Sequence, residues 1–258
     1  MTPPSDGLSI DLKGHVALVT GGSRGIGRAC SLALARAGAS VAVHHRVRQA
    51  EALEVVSRIR ASAGRAEGLA ADLTQEGEVQ TLIDRCTAGL GSPTILINNA
   101  GIWEGRGIDE LSLDGWERTM AVNLRSMFLC ARAVVPSMKR AGGGRIVNIA
   151  STAGQRGEAF HSDYAASKGA AIAFTRSLAT ELAPHGIRVN CVAPGWVDTE
   201  MCAEAFAGGG REAIERTIPL GRVGRPDEIA AAVVFAASDL SSFMTGSVIS
   251  VNGGAVMA

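Results

Sequence analysis

The chain has few aromatic residues: Phe, Trp and Tyr make up 4% of its 258 residues, and there is a single tyrosine. Its core must therefore be built from Ala, Val, Ile and Leu. With the other apolar types these reach 47% of the sequence, enough for a sizeable interior. Neither sign of charge is in excess, since 25 basic residues face 25 acidic ones. That balance argues against a nucleic-acid or anionic-membrane partner, both of which favour a basic surface. The longest apolar run, Ile229–Ala237, falls far short of the ~20 residues a membrane helix needs. Met1–Ser9 has no basic stretch followed by an apolar one, so it does not read as a signal peptide. The five cysteines (Cys30, Cys86, Cys130, Cys191, Cys202) are odd in number and form no CxxC pair. They suit small buried hydrophobes in a reducing compartment better than disulfides or metal ligands. A soluble, cytoplasmic protein without a metal is expected.

What is present is an alternation of short β-branched runs with longer helical stretches. His15–Thr20, Ser40–His45, Ala66–Ala71, Thr94–Asn98, Arg145–Ala150, Arg188–Ala193 and Ser247–Val251 read as strands. Helical stretches lie around Ile26–Ala37, Ala50–Ala63, Glu78–Ala88, Leu113–Arg140, Ser162–Ala183 and Asp227–Ala237. Strands apolar on both faces and separated by helices predict a parallel, doubly wound α/β sheet. No linker or repeat divides the chain, so residues 12–258 are expected to form one domain, preceded by an extension over 1–11.

The first strand runs straight into Thr20-Gly21-Gly22-Ser23-Arg24-Gly25-Ile26-Gly27. Glycines there let the backbone turn tightly and let a helix N-terminus approach a pyrophosphate. The spacing is Gly-x-x-x-Gly-x-Gly, so the usual dinucleotide fingerprint is met in logic rather than in letter. Taken alone, the turn is either a dinucleotide site or a simple chain reversal. Near the start of a predicted helix stand Tyr164 and Lys168, four residues apart and hence on one face. A lysine cation beside a phenol favours the phenolate and makes it a usable acid/base near neutrality. A helix-surface pair is the bland reading of the same spacing, but this is the chain's one tyrosine. Ser151 follows the strand Arg145–Ala150, at the carboxyl edge where open α/β sheets bind ligands.

These signals, with Asn98-Asn99-Ala100-Gly101, together resemble the short-chain dehydrogenase/reductase family over nearly the whole chain, about Leu12 to Gly254. The resemblance implies a single Rossmann-type domain of about seven parallel strands and a catalytic set of Asn123, Ser151, Tyr164 and Lys168. It implies that Thr20, Gly21, Ser23, Arg24, Gly25, Ile26 and Gly27 form the cofactor turn, with Asp72 and Leu73 by the adenine. Asn99, Ala100 and Gly101 would close over the ribose, which Lys168 would also hold. Pro194, Gly195, Val197 and Thr199 would hold the nicotinamide carboxamide, and Asn123 would hold a water in a proton relay to Lys168.

The second strand ends Val43-His44-His45-Arg46 with no acid. A carboxylate there would repel a 2′-phosphate, whereas arginine brackets one. With His45, Arg46 and Arg24 at that end, NADP(H) is the expected cofactor and NAD(H) the alternative; solvated loop charge is the bland reading of the arginines. Trp103, Gln155, Phe160, His161, Trp196 and Met201 are candidate substrate-pocket residues by their closeness to the motifs, or else ordinary packing. Residues 199–217, with three consecutive glycines, match the family's mobile substrate lid. Gly221–Pro226 and Val251–Gly254 look like the 3-oxoacyl-carrier-protein reductase branch, although Ile102-Trp103-Glu104 and Thr180 depart from it. The expected activity is NADPH-dependent reduction of a small-molecule ketone, with a 3-oxoacyl thioester as one candidate. An alcohol, polyol or sugar dehydrogenase is the second reading, and a catalytically silent cofactor-binding regulator or scaffold the third. The resemblance also implies a homotetramer, joined through the helices around Leu113–Arg140 and Ser162–Ala183.

Overall fold

The structure, a computed structural model, describes residues 9–257; most of the expected N-terminal extension lies outside them. The elements alternate as the pattern predicts. In chain order they are β1 (Val16–Val19), α1 (Gly25–Arg36), β2 (Ser40–His45), α2 (Gln49–Ala61), β3 (Ala66–Ala70), α3 (Glu76–Gly89) and β4 (Ile95–Asn98). There follow α4 (Leu113–Met120), α5 (Ser126–Arg140), β5 (Gly144–Ile149), α6 (Thr152–Arg156), α7 (Ser162–Leu182) and β6 (Ile187–Pro194). The chain closes with α8 (Ala203–Phe206), α9 (Gly210–Glu215), α10 (Pro226–Ala237) and β7 (Val248–Val251). All strands are parallel, in the order β3-β2-β1-β4-β5-β6-β7. The fold is a single doubly wound Rossmann-type domain.

Because side chains alternate across a strand, β1 feeds two cores. Ala17 and Val19 pack with α1, α2 and α10 through Leu34, Val55, Ile229 and Val233. Val16 and Leu18 face α3, α5 and α7 through Leu82, Val134, Met138 and Leu182. The largest fully buried side chains are all Leu, Ile or Met, so the interior is completed without aromatics. Four cysteines are buried, and burial pushes the Cys30, Cys86 and Cys130 thiols up to about 12. No described helix is long and apolar enough to cross a membrane.

One element departs from the sequence pattern. Leu113–Arg140 is not one regular helix, because Ala121–Arg125 forms a π turn between α4 and α5. Such a widened turn interrupts the regular hydrogen-bond ladder and often marks a functional position; here it carries Asn123. Apolar periodicity continues through it, so the pattern could not reveal it.

With the order reversing between β1 and β4, the crevice lies at the switch point, beyond the carboxyl ends of the strands. The segments that leave Val19, His45, Asn98, Ile149 and Pro194 all converge on that edge.

Candidate active site

A cleft of about 350 Å³ occupies the carboxyl edge of the sheet. One wall is Gly21, Ser23, Arg24, Gly25 and Ile26 from the glycine turn, with His45, Arg46, Asp72, Leu73, Asn99, Ala100 and Gly101. The other is Ser151, Tyr164, Lys168, Pro194, Gly195, Trp196, Val197, Thr199 and Met201, with Trp103 at the junction. The glycine turn and the Ser–Tyr–Lys set, remote in sequence, thus face one space.

The turn is held from behind. Thr20 donates to Ile97 O (3.2 Å) and accepts from the amides of Asn99 (2.9 Å) and Ala100 (3.0 Å). Asn99 Nδ2 donates to the carbonyls of Thr20 (3.0 Å) and Gly21 (3.2 Å). Thr20 and Gly27 do not reach the cleft; they fix its shape, and a Cβ on Gly27 would overlap the Gly21 carbonyl. Gly25 has φ +51°, and a Cβ there would meet Thr199 Cγ2 at 3.3 Å. α1 therefore opens with bare backbone amides aimed at the space where an anion would sit.

A residue that sequence reasoning passed over completes this support. His44 is 3% exposed; its Nδ1 accepts from Gly21 N (3.0 Å) and its Nε2 contacts Ala71 O (3.0 Å). The carbonyl requires a proton on Nε2 and the amide requires a lone pair on Nδ1, so the ring is neutral. Burial accordingly lowers its pKa to about 4. Alternation along β2 marks only that residue's face; that the ring bridges two other segments is a tertiary fact.

On the second wall, α6 and α7 approach closely: a Cβ on Gly154 would lie 2.5 Å from the Lys168 carbonyl carbon. This contact sets Ser151, the N-cap of α6, beside Tyr164 on the first turn of α7. Burial raises the Tyr164 phenol above its ordinary value, and a hydrogen bond with Ser151 opposes the rise. Lys168 is 4% exposed, its Nζ donates to Ile149 O (2.8 Å), and burial lowers it to about 8. Nζ lies 5.7 Å from the centre of the Tyr164 ring. Asn123 is fully buried, accepting from Ile102 N (2.8 Å) and donating to Ile102 O (3.0 Å) and Ser167 Oγ (3.1 Å). A Cβ on Gly101 would stand 3.3 Å from Asn123 Oδ1 and 3.5 Å from Lys168 Nζ, so this glycine lets the loop after β4 close onto both.

This fold, the turn and the tyrosine–lysine pair carry a family signature, and comparison with known proteins decides it. The family model described as enoyl-(acyl carrier protein) reductase matches residues 21–256. The chain is 39% identical to the 3-oxoacyl-(acyl-carrier-protein) reductase FabG of Pseudomonas aeruginosa, over 96% of this chain and all of that one. The chain belongs to the short-chain dehydrogenase/reductase family. Two solved structures of related enzymes superpose closely. One is a 7α-hydroxysteroid dehydrogenase complexed with NADH and a 7-oxo bile acid, with TM-score 0.92, 32% identity and 97% of each chain covered. The other is a gluconate 5-dehydrogenase of Burkholderia cenocepacia with NADP and tartrate, with TM-score 0.90, 34% identity, 95% of this chain and 96% of that one. As a short-chain dehydrogenase/reductase, the chain is an oxidoreductase using a nicotinamide cofactor on a small molecule.

The residues present fit such a cofactor: a glycine cradle at a helix N-terminus, an open cleft, and a buried His45 Nδ1 with no partner. At the substrate end the placements are mixed. Trp103, Trp196 and Met201 line the cleft, whereas His161 stacks behind Trp103 with centroids 4.4 Å apart. Gln155 is turned away, donating to Ser250 Oγ (3.0 Å). Phe160, in the left-handed region at φ +63°, is 71% exposed and outside the cleft. Closeness in sequence to Tyr164 selected these two, but α6, which carries Gln155, and the loop before α7, which carries Phe160, direct them elsewhere. Arg156, Glu158, Glu200 and Cys202 also line the cleft; no motif in the sequence marks them.

Proposed function

We propose that the protein is an NADPH-dependent carbonyl reductase in which Tyr164 delivers the proton to the substrate oxygen. The observation that carries this reading is the Tyr164 phenol, held protonated by burial beside Ser151 and facing the same cleft as the glycine turn. A phenol that keeps its proton at neutral pH is suited to act as an acid, which is the task in the reductive direction. Ser151 holds the carbonyl oxygen within reach of that phenol. Lys168, when charged, stabilises the phenolate left after transfer and lies where it would hold the nicotinamide ribose. Asn123, behind Gly101, positions the loop that closes over that ribose. Gly21, Gly25 and Ile26 would hold the pyrophosphate on the amides opening α1, and Val197 and Thr199 the carboxamide. The cofactor, when bound, supplies or accepts the hydride.

Arg24 and Arg46, which both line the cleft, support preference for a 2′-phosphate, and no carboxylate ends β2 to repel it. The same residues working on an alcohol, polyol or sugar in the oxidative direction form the second reading, supported by the gluconate dehydrogenase relative. A cytoplasmic homotetramer is the proposed assembly, with Leu113 and Phe128, exposed on α4 and α5, as part of the joining face; a monomeric mass by light scattering would rule that out.

The test is Tyr164→Phe assayed for NADPH oxidation with a ketone panel. Loss of the proton donor should lower kcat by about 10³-fold or more, within the range typical of acid/base residues. The dissociation constant for NADPH should move less than about threefold. Activity retained within a few-fold of wild type would overturn the assignment.

A further inference from the structure

We infer that the substrate is a ring ketone, alicyclic or aryl, rather than an extended acyl chain. The inference rests on the reductase reading above and concerns the same cleft.

The chain contains ten aromatic residues, 3 Trp, 6 Phe and 1 Tyr, and none is among its largest fully buried side chains. Phe174 packs against two of the apolar clusters, but four of the ten stand in or beside the cleft. Trp103, Tyr164 and Trp196 line the cleft, and Phe206 lies behind Trp196 with centroids 6.0 Å apart. The two indoles are perpendicular, with centroids 5.7 Å apart and an interplanar angle of 89°. They form a corner with one plane on each side. Each is braced from outside the cleft: Trp103 by the parallel His161 ring at 4.4 Å, and Trp196 by Phe206, itself under the Arg211 guanidinium at 5.5 Å. His161 is in turn positioned by Nδ1 contacting Ala159 O at 3.0 Å, and its Nε2 would meet a Cβ on Gly105 at 2.8 Å. That leaves the ring little room to swing away.

A rigid corner of two planes complements a plate. An aryl ring can stack on one indole while offering its edge to the other, the two arrangements aromatic quadrupoles favour, and an alicyclic ring can lay its apolar face on either plane. An extended chain would touch the same corner along a line only and lose rotamer freedom in doing so. The corner lines the same cleft as Tyr164 and Ser151, so a ring seated there would share that space with the proton donor.

The experiment compares kcat/KM for 4-ethylcyclohexanone, 2-octanone and the acetoacetyl thioester of N-acetylcysteamine, using the full chain with NADPH. The ring ketone should be favoured over the open-chain ketone of equal carbon number by at least tenfold, about 1.4 kcal/mol. Trp103→Ala and Trp196→Ala should collapse that ratio to about threefold or less, and Trp103→Phe should preserve most of it. NADPH titration of each variant verifies that it is folded. A ratio near one in wild type, a preference for the thioester, or a ratio unmoved in both alanine variants would overturn the ring inference while leaving the reductase reading standing. Failure of all three probes, and of a wider carbonyl and alcohol panel, would overturn the reductase reading itself.

Discussion

The floor of the cleft and its rim are held by different forces. In the floor and directly beneath it, Thr20, His44, Asn123 and Lys168 are none of them more than 4% exposed. Their polar atoms meet backbone groups, with Asn123 also donating to Ser167 Oγ, within a few tenths of an ångström of 3 Å. At the rim, arginines pair with carboxylates in the open: Arg24 with Glu200 at 2.9 Å, Arg118 with Glu104 at 2.8 Å, Arg211 with Asp198 at 3.1 Å, and Arg46 with Asp72 at 3.8 Å. A buried hydrogen bond is expensive to leave unmade, whereas an exposed ion pair contributes about 0–1 kcal/mol. The floor therefore has one arrangement and the rim can trade partners. Fixed donors suit proton transfer, which depends on preorganised geometry; exchangeable ones suit recognition of a ligand's own charges.

The largest effect that would break this contrast lies at Lys168, a floor residue with a charge. Burial lowers it from 10.5 to about 8, so near neutral pH the folded state carries an ammonium it would rather release. Both states are protonated below pH 8, and there the cost of burial is fully present. As pH rises from about 8 toward 10.5 the folded lysine loses its proton first, the unfolded chain binds more protons, and the burial cost is relieved. Lys168→Met should thus lower kcat/KM by about 100-fold or more while raising stability at pH 7 by up to about 3 kcal/mol, the cost of lowering the lysine from 10.5 to about 8. Denaturant unfolding of both proteins measures the second part; a destabilised Lys168→Met variant would contradict it. In wild type, kcat/KM for reduction should fall along a limb centred near pH 8, where the charge is lost.

His44 gives the next largest effect, with the same sign in pH but in an acid window. Its folded pKa of about 4 lies below the unfolded value near 6.5. Between these values the unfolded ring takes a proton that the folded ring refuses, so stability is lost as pH falls from about 6.5 to 4. The loss should approach about 3 kcal/mol. His44→Gln cannot titrate, and its stability should be nearly flat over that window once the wild-type slope from other groups is subtracted. Its NADPH affinity should also drop several-fold at pH 7, because the Gly21 amide loses its anchor. A variant as acid-sensitive as wild type would show that His44 is not the titrating group.

The two regions also differ in how far the sequence reveals them. Much of the floor is local: Thr20 to Gly27 is a single turn, Tyr164 and Lys168 are one helical turn apart, and Asn99 to Gly101 directly follows a strand. Local spacing is what sequence periodicity encodes, and the parallel, doubly wound sheet followed from the same alternation. The exceptions on the floor are non-local. His44 bridges the segments at Gly21 and Ala71, Asn123 sits in a π turn, and α6 packs on α7 through Gly154. The rim is wholly of that kind: Arg24 meets Glu200 across 176 positions, and Trp103 meets Trp196 from separate loops. Phe160 and Gln155, chosen because they neighbour Tyr164 in sequence, are the ones directed away from the cleft.

The smallest effect is the sharpest test of an exchangeable rim. Arg24, at the mouth of the glycine turn, donates from Nη1 to Glu200 just after Thr199, with side chains 49% and 67% exposed. If Arg24 also brackets a 2′-phosphate, that phosphate and the Glu200 carboxylate compete for one guanidinium. Removing the carboxylate should then help the phosphate: Glu200→Gln should tighten NADPH by about two- to fivefold, the worth of an exposed pair. NADH, which lacks the phosphate, should bind that variant unchanged. Arg24→Ala should weaken NADPH by about tenfold, or about 1.4 kcal/mol, again sparing NADH, and Arg46→Ala should act in the same direction. Glu200→Gln placed on the Arg24→Ala background should add nothing, because the two changes meet at the same side chain. Fluorescence titration of the wild type and the four variants with both nucleotides decides it. Equal gains for NADPH and NADH in Glu200→Gln would mean that Glu200 acts on the segment after Thr199 rather than on Arg24, and that the arginine at the turn does not select the phosphate.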